Sequence, residues 1–165
     1  IASLEPVSIP DEENAQPSVT GTQELPLDEN PEVIVTRESV PPVQMVHFGF
    51  RAAQLSGESN ILLANIAQDL FARPDLKLTL SGFASLEPVS KSRISQQARA
   101  NLKISHERAQ RVRDALVDLG VDASQLSVEA FGHDAPRFDN NTEEGRQLNR
   151  RVEIKFSSVS TAVAP

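Results

Sequence analysis

The chain has 165 residues and a formal net charge of −7, and it contains neither cysteine nor tryptophan. Without cysteine it has no disulfides, no thiolate metal ligands and no cysteine nucleophile, and its redox compartment stays open. This length suits one domain of ordinary size better than two. Because the chain starts with Ile1 rather than Met, we expect it to be a processed form or an excerpt of a longer protein.

Proline and negative charge are concentrated in the first quarter of the chain. Residues 1–45 hold seven of the 11 prolines and nine acidic residues against one base, Arg37, a net charge of −8. The rest carries 15 Lys and Arg against 14 Asp and Glu, and is close to neutral. A proline-rich acidic segment with little apolar periodicity buries too little surface to offset its conformational entropy. We therefore predict a disordered acidic linker over 1–42.

Composition also excludes several classes of partner. No apolar run reaches the roughly 18 residues of a membrane-spanning helix, and no basic segment followed by an apolar one indicates a signal peptide. A near-neutral folded part lacks the basic stripe of a nucleic-acid binder. The seven aromatic residues are all Phe and lack the spacing of a base-stacking platform. We expect no nucleic-acid partner.

Periodicity after residue 42 predicts four strands and two helices. Strands follow from alternation of apolar and polar residues, and helices from apolar residues recurring every three or four positions. Ser56 suits the N-cap of the first helix, and Gly120 suits the position after the second. The polar stretch 132–149 has one short helical segment around Thr142–Arg146. In chain order we predict a strand at 43–50, a helix at 57–72, a strand at 76–81, a helix at 95–119, and strands at 126–131 and 152–156.

The order β-α-β-α-β-β predicts an α+β sandwich, an α/β fold in which both helices pack on one face of a small mixed sheet. The folded domain is expected over 43–157, followed by a frayed tail at 158–165. The segment ASLEPVS occurs twice, at 2–8 and at 84–90, and is too short to be a structural repeat. Either the first copy mimics a surface loop and competes for its binding place, or it is a duplication without function. We favour the duplication.

Three segments carry recognisable motifs: VHFGFRAAQLSGESNILLANIAQDL at 46–70, NLKISHERAQRVRDALVDLGV at 101–121 and LSVEAFGHDAPRFDNNTEEGRQLNRRVEI at 126–154. They resemble the OmpA-like peptidoglycan-binding domains, a family of Gram-negative cell-envelope domains found in outer-membrane proteins, lipoproteins and flagellar stators. The most specific match is G-R-x-x-N-R-R-V-E-I. The resemblance covers about residues 43–157 and implies the β-α-β-α-β-β fold that periodicity predicts independently.

The resemblance implies a noncatalytic periplasmic domain that binds peptidoglycan without a cofactor. The ligand in this family is the diaminopimelate side chain of the stem peptide, whose free end carries an ammonium and a carboxylate. Tethering to the inner or outer membrane is expected only through an element upstream of residue 1, and a homodimer is allowed because related stator domains dimerise. No metal is expected, since His47, His106 and His133 lack ligand spacing, and no catalytic constellation is present.

The resemblance places the ligand carboxylate on Arg108, the Arg of the S-x-x-R-A motif, whose planar fork donates two parallel hydrogen bonds. The Asp that serves the ammonium in the family is absent: Ser85 stands at its position. A hydroxyl supplies no charge, and losing one charge-assisted bond costs about 1.5–3 kcal/mol, or roughly ten- to a hundredfold in affinity. Glu87, two residues further on, could swing into the missing role.

Three further residues are candidates for the ligand site. Asn101 either contacts the ligand backbone or organises the loop as a local cap. Phe83, where the family has His, either lines the pocket floor or is a buried strand end. Arg146 belongs to a cluster expected mainly to hold the long loop, with a minor share in wall binding for Arg146 itself. That cluster comprises Arg146, Asn149, Arg150 and Arg151.

A second function stays open. The loop from Ser85 to Asn101 is longer than in most members of the family, and the charged ammonium partner is missing. The chain could therefore be a degenerate domain that has lost wall binding and acts as a protein-interaction or assembly module, in stator-like or secretion machinery.

Overall fold

The computed structural model describes residues 41–158, in which four strands form one mixed sheet. The predicted linker lies outside these residues except for its last two positions, as does the predicted tail after Ser158. Short 3-10 turns occupy Lys91–Arg93 and Ala123–Gln125. The main elements are β1 (Gln44–His47), α1 (Gly57–Ala72), β2 (Leu76–Gly82), α2 (Ile94–Asp118), β3 (Leu126–Ala130), α3 (Glu143–Asn149) and β4 (Arg151–Ser158).

The strand order β1-β4-β2-β3 makes the sheet mixed. β2 pairs in parallel with β3 and antiparallel with β4, and β4 pairs antiparallel with β1. Alternation places Leu76, Leu78 and Leu80 on the buried side, where each is at most 1% exposed. They pack with apolar residues of α1 and α2 in one core cluster. The predicted α+β sandwich is confirmed.

The first strand is shorter than its alternation predicts. β1 ends at His47, and the chain turns away through Arg51, whose φ is +51°. The Phe48 N–H still donates to the Arg150 carbonyl at 2.8 Å, which holds this residue beside the sheet, and its side chain is buried. Alternation along the predicted strand at 43–50 would place Phe50 on the same face as Val46. Phe50 lies beyond the Phe48 hydrogen bond and is 55% exposed, so the prediction of a strand as far as residue 50 is wrong.

The C-terminal part is more ordered than its polar sequence predicts. The short helical segment is a helix of seven residues, α3, and Thr142 caps it by accepting from the Gly145 N–H at 3.0 Å. β4 then runs to Ser158, one residue beyond the predicted domain end, because β2 offers a partner as far as Leu76. The structure therefore has three α-helices in the described residues, one more than the predicted order.

Gly82, at the end of β2, lets α2 approach the sheet closely. A Cβ atom at this position would overlap the Ser105 carbonyl of α2 and would crowd Ala109. The absence of a side chain at Gly82 therefore determines how closely α2 approaches the end of β2. This close approach brings Arg108 next to the segment that follows β2.

We predict that Gly82→Ala lowers the free energy of unfolding by about 1–3 kcal/mol, because α2 must move to relieve the overlap. Urea denaturation followed by circular dichroism measures this change. Gly57→Ala is the matched control, since no atom lies within 4 Å of its added Cβ, and it should leave the stability unchanged or slightly raise it. Equal stabilities for the two variants would contradict the proposed close packing at Gly82.

Candidate functional site

A cavity of about 520 Å³ opens between the loop after β2, the N-terminal half of α2 and the turn after β1. Apolar side chains such as Phe50, Val89 and Ile104 form part of its wall. Its size and its mixed lining are typical of small-ligand sites. The polar and charged residues that line it are Arg51, Ser85, Glu87, Arg93, Gln96, Gln97, Asn101, Arg108 and Arg150.

Arg108 is 1% exposed, and within residues 41–158 its side chain donates to backbone carbonyls. Its Nε donates to Ala52 O at 2.9 Å, its Nη1 to Phe83 O at 3.1 Å and its Nη2 to Gly49 O at 3.0 Å. The guanidinium carbon also lies 5.5 Å from the centroid of the Phe48 ring. No carboxylate of residues 41–158 forms an ion pair with it.

Burial without a counter-ion disfavours the charged form of Arg108. Desolvation, and next the nearby positive charge of Arg150, lower the pKa of Arg108 from its ordinary value to about 10. The side chain therefore stays protonated at neutral pH, and no residue of the described part of the chain supplies an anionic partner. An anionic group bound in the cavity would supply that partner, which makes Arg108 the strongest candidate for ligand recognition.

Glu87, the carboxylate offered by sequence as a substitute for the missing Asp, is held by neighbours. Its Oε1 accepts from Ser85 Oγ at 2.7 Å and lies 3.5 Å from Arg150 Nη1. Its Oε2 lies 3.2 Å from Arg146 Nε. Glu87 therefore lines the cavity beside Ser85, but its charge is already matched within the protein.

Asn101 joins the loop after β2 to the loop after β3. Its Nδ2 donates to Ser85 O at 2.9 Å and lies 3.0 Å from His133 Nδ1, which must be the acceptor because an amide nitrogen only donates. Asn101 thus organises the cavity wall in which it lies. Whether it also contacts ligand stays a prediction.

Phe83 takes part in the site through its backbone rather than its ring. The ring stacks on Phe131 with centroids 5.1 Å apart, and Arg151 Cζ lies 4.1 Å from the Phe83 centroid. The ring is not part of the cavity lining. The Phe83 carbonyl accepts from Arg108, so this residue matches a buried strand end that positions the cation.

Arg146 lies behind the cavity lining and bridges two acidic residues. It pairs with Glu87 and, at 3.0 Å, with Glu143, while Arg150 pairs with the same two carboxylates. Two cations and two anions therefore form one compact charge cluster. Asn149 completes the support, because its Oδ1 accepts from two backbone N–H groups of the long loop at 137 and 138.

The sequence did not single out several residues of the cavity. Gln97 is one of them: its Nε2 donates to Glu87 O at 2.9 Å, and its buried Oε1 has no partner in the described residues. Helical spacing back from Arg108 could have found it, since Ile104, Asn101 and Gln97 precede Arg108 by four, seven and 11 positions and all line the cavity. Arg93, at the N-cap of α2, continues this spacing four positions before Gln97, whereas Arg51 lies in the turn after β1 and carries no such signal.

Within residues 41–158 no helix is long and apolar enough to cross a membrane. The same part of the chain has no group of three or more His, Cys, Asp or Glu side chains that could hold a metal ion.

The family model described as the OmpA family matches residues 47–150. The chain belongs to the OmpA family. Among relatives of this OmpA-family domain, Motility protein B of Helicobacter pylori J99 is 34% identical over 96 residues, which is 58% of this chain and 35% of that protein. The peptidoglycan-binding protein ArfA of Mycobacterium bovis is 32% identical over 109 residues, 66% of this chain and 31% of ArfA. The chain thus spans about a third of the length of these relatives.

Solved structures show the same fold. The peptidoglycan-associated lipoprotein of Burkholderia pseudomallei matches with a TM-score of 0.62 and 24% identity, over 69% of this chain and 90% of that one. The C-terminal domain of Helicobacter pylori MotB matches with a TM-score of 0.60 and 24% identity, over 71% of this chain and 86% of that one. Both confirm the α/β architecture of the domain.

Because of the charge cluster, the free energy of unfolding of the domain depends on pH in the acidic range. Hydrogen bonds from Arg150 and Arg146 hold the pKa of Glu143 below its usual 4.5. The ionised form is therefore favoured by folding, so this contribution is present above the ordinary pKa and is lost as pH falls through the lower folded-state value.

We predict that Glu143→Gln lowers the urea midpoint at pH 7 and that the difference from the wild type shrinks below about pH 4. Urea titrations at several pH values measure this. Glu144→Gln is the control, because Glu144 also lies in the first turn of α3 but has no ion pair in the described part of the chain. A constant difference from pH 7 to pH 3 would show that the Glu143 charge is not responsible.

Proposed function

We propose that this OmpA-family domain is a noncatalytic module that binds peptidoglycan in the periplasm and anchors a cell-envelope protein to the wall. Family membership and relatives named for peptidoglycan binding or association support it. The observation that carries the proposal is Arg108, a buried cation that lies in the wall of a ligand-sized cavity and has no anionic partner among residues 41–158.

The ligand we propose is the diaminopimelate side chain of the stem peptide, held through its carboxylate. A guanidinium has five N–H groups, and Arg108 uses three of them on carbonyls. The remaining donors suit a carboxylate oxygen, and the low exposure of the site strengthens such a charge-assisted bond. The fixed carbonyl contacts pre-organise the guanidinium, so binding does not have to order a flexible side chain.

The acidic segment before the domain is proposed to be a solvated spacer. Apart from its last two positions this segment lies outside the described part of the chain, and a linker of about 40 residues has a reach of tens of ångströms, which suits a connection from a membrane element to the wall. The membrane element itself would lie upstream of residue 1. Dimerisation of the domain stays a prediction.

We predict that Arg108→Gln weakens binding to purified sacculi by roughly ten- to a hundredfold, because the variant removes the charge from the bond to the carboxylate. Cosedimentation over a range of sacculus concentrations measures the affinity. Arg111→Gln is the matched control, an exposed arginine on the same helix, and it should bind like the wild type. Urea denaturation checks that Arg108→Gln stays folded despite losing carbonyl contacts. Equal pelleting of both variants would refute the Arg108 site.

The alternative assembly module is favoured by one observation, the neutralised carboxylate at Glu87. If the wild type does not bind sacculi, a charge-restoring variant tests this reading. A single Ser85→Asp change would place a second carboxylate against Glu87, since Ser85 Oγ and Glu87 Oε1 lie 2.7 Å apart. The double variant Ser85→Asp, Glu87→Gln avoids that repulsion. Wall binding gained by the double variant alone would identify the native domain as degenerate.

A further inference from the structure

Among the residues that the structure describes, none supplies the cavity with an unmatched carboxylate for a ligand ammonium. Of the residues that line it, Glu87 is the acidic one, and both of its oxygens already face donors. The four-membered charge cluster behind it pairs equal numbers of cations and anions. Arg108, Arg51 and Arg93 add further positive charge at the lining. The net charge around the cavity is therefore positive, and it disfavours binding of a ligand ammonium.

Ser85 offers a neutral acceptor in the same place. Its hydroxyl donates to Glu87 Oε1 at 2.7 Å, and since an ionised carboxylate cannot donate, the direction of this bond is settled. The oxygen is then left with its lone pairs as an acceptor. Arg150 Nη1 lies at 3.5 Å, too far to satisfy it well. Ser85 is 4% exposed, so this acceptor is part of a built site rather than of the solvent surface.

Ser85 and Arg108 line the same cavity. Arg108 Nη1 donates to the Phe83 carbonyl, and Ser85 follows Phe83 by two residues, so the Cα atoms of Phe83 and Ser85 are at most about 7 Å apart. A ligand that binds Arg108 through a carboxylate carries the substituent on its neighbouring carbon into the cavity that Ser85 also lines. In diaminopimelate that substituent is the side-chain amine.

We propose that the cavity selects diaminopimelate whose side-chain amine is acylated, which presents a free carboxylate beside a neutral amide N–H, over diaminopimelate with a free ammonium. Arg108 binds the carboxylate and Ser85 Oγ accepts the amide N–H. Such an amide forms in peptidoglycan where the amine is joined to a neighbouring peptide. The domain therefore binds cross-linked peptidoglycan in preference to uncross-linked stem peptides. The inference rests on the proposed function for the identity of the ligand.

Two synthetic tripeptides test this selectivity, both with diaminopimelate as the third residue, one with a free and one with an acetylated side-chain amine. Titration calorimetry on the wild-type chain should give about three- to tenfold tighter binding of the acetylated peptide, because its N–H brings no charge into the cationic cavity. A third peptide with lysine, which lacks the carboxylate, should bind at least about tenfold more weakly than the acetylated one.

Variants at Ser85 locate the effect. Ser85→Ala should reduce the preference for the acetylated peptide, because the amide N–H loses its acceptor while the positive charge of the cavity remains. Ser85→Asp, Glu87→Gln should reverse the preference, because a carboxylate then faces the ammonium. Ser90→Ala, an exposed hydroxyl on the same loop, is the control and should keep the wild-type preference. The reversing variant keeps the test informative if Ser85→Ala is too unstable to titrate.

Equal affinities in the wild type, or tighter binding of the free-amine peptide, would overturn the proposed selectivity while wall anchoring stands. Failure of all peptides to bind would also overturn it, and cosedimentation with sacculi would still decide wall anchoring separately. Preferred binding of the acetylated peptide without pelleting on sacculi would support the selectivity and contradict the anchoring role.

Discussion

One buried guanidinium connects the parts of this domain that form its cavity. Arg108 extends from α2 and donates to carbonyls at Gly49, Ala52 and Phe83, which belong to the turn after β1 and to the end of β2. Burying a cation is unfavourable unless hydrogen bonds and a counter-ion compensate it. Here the carbonyls supply the hydrogen bonds and no carboxylate of the described residues supplies the counter-charge. The three hydrogen bonds that join these segments therefore also hold the Arg108 guanidinium in a fixed position, where its charge can be matched by a bound anion.

The packing around this cation determines where it lies. Gly82 allows α2 to cross the end of β2 at close range, so that Arg108 reaches the Phe83 carbonyl. Behind the cavity, Glu87 and Glu143 share Arg146 and Arg150, and Asn149 pins the long loop. This cluster contains two cations and two anions. Because Glu87 is already paired with Arg146 and Arg150, its carboxylate is not free to bind a ligand cation. Support of the loop and selectivity of the site thus follow from the same contacts.

Most of the fold could be predicted from the chain alone, because periodicity reports which side chains face a core. Leu76, Leu78 and Leu80 alternate in the sequence and are buried as expected. Phe50 continues the alternation of its strand yet is 55% exposed, since the turn at Arg51 ends the pairing first. The local pattern of apolar and polar residues contains no information about where the pairing with a neighbouring strand ends. Likewise α3 is secured by its Thr142 cap and by its place before β4, not by an apolar stripe.

The amino-acid sequence by itself determined the family, the order of the strands and the long helices, and the position of Arg108 in its motif, because these depend on local periodicity and on fixed spacings. Only the tertiary structure decided which polar and charged groups meet. Arg108 and Gly49 are 59 positions apart, and Arg150 and Glu87 are 63 apart (150 − 87), so no local pattern relates them. Folding brings the arginines together around one cavity, neutralises Glu87 and leaves Ser85 as an acceptor, and the electrostatics of the site follow from those long-range contacts.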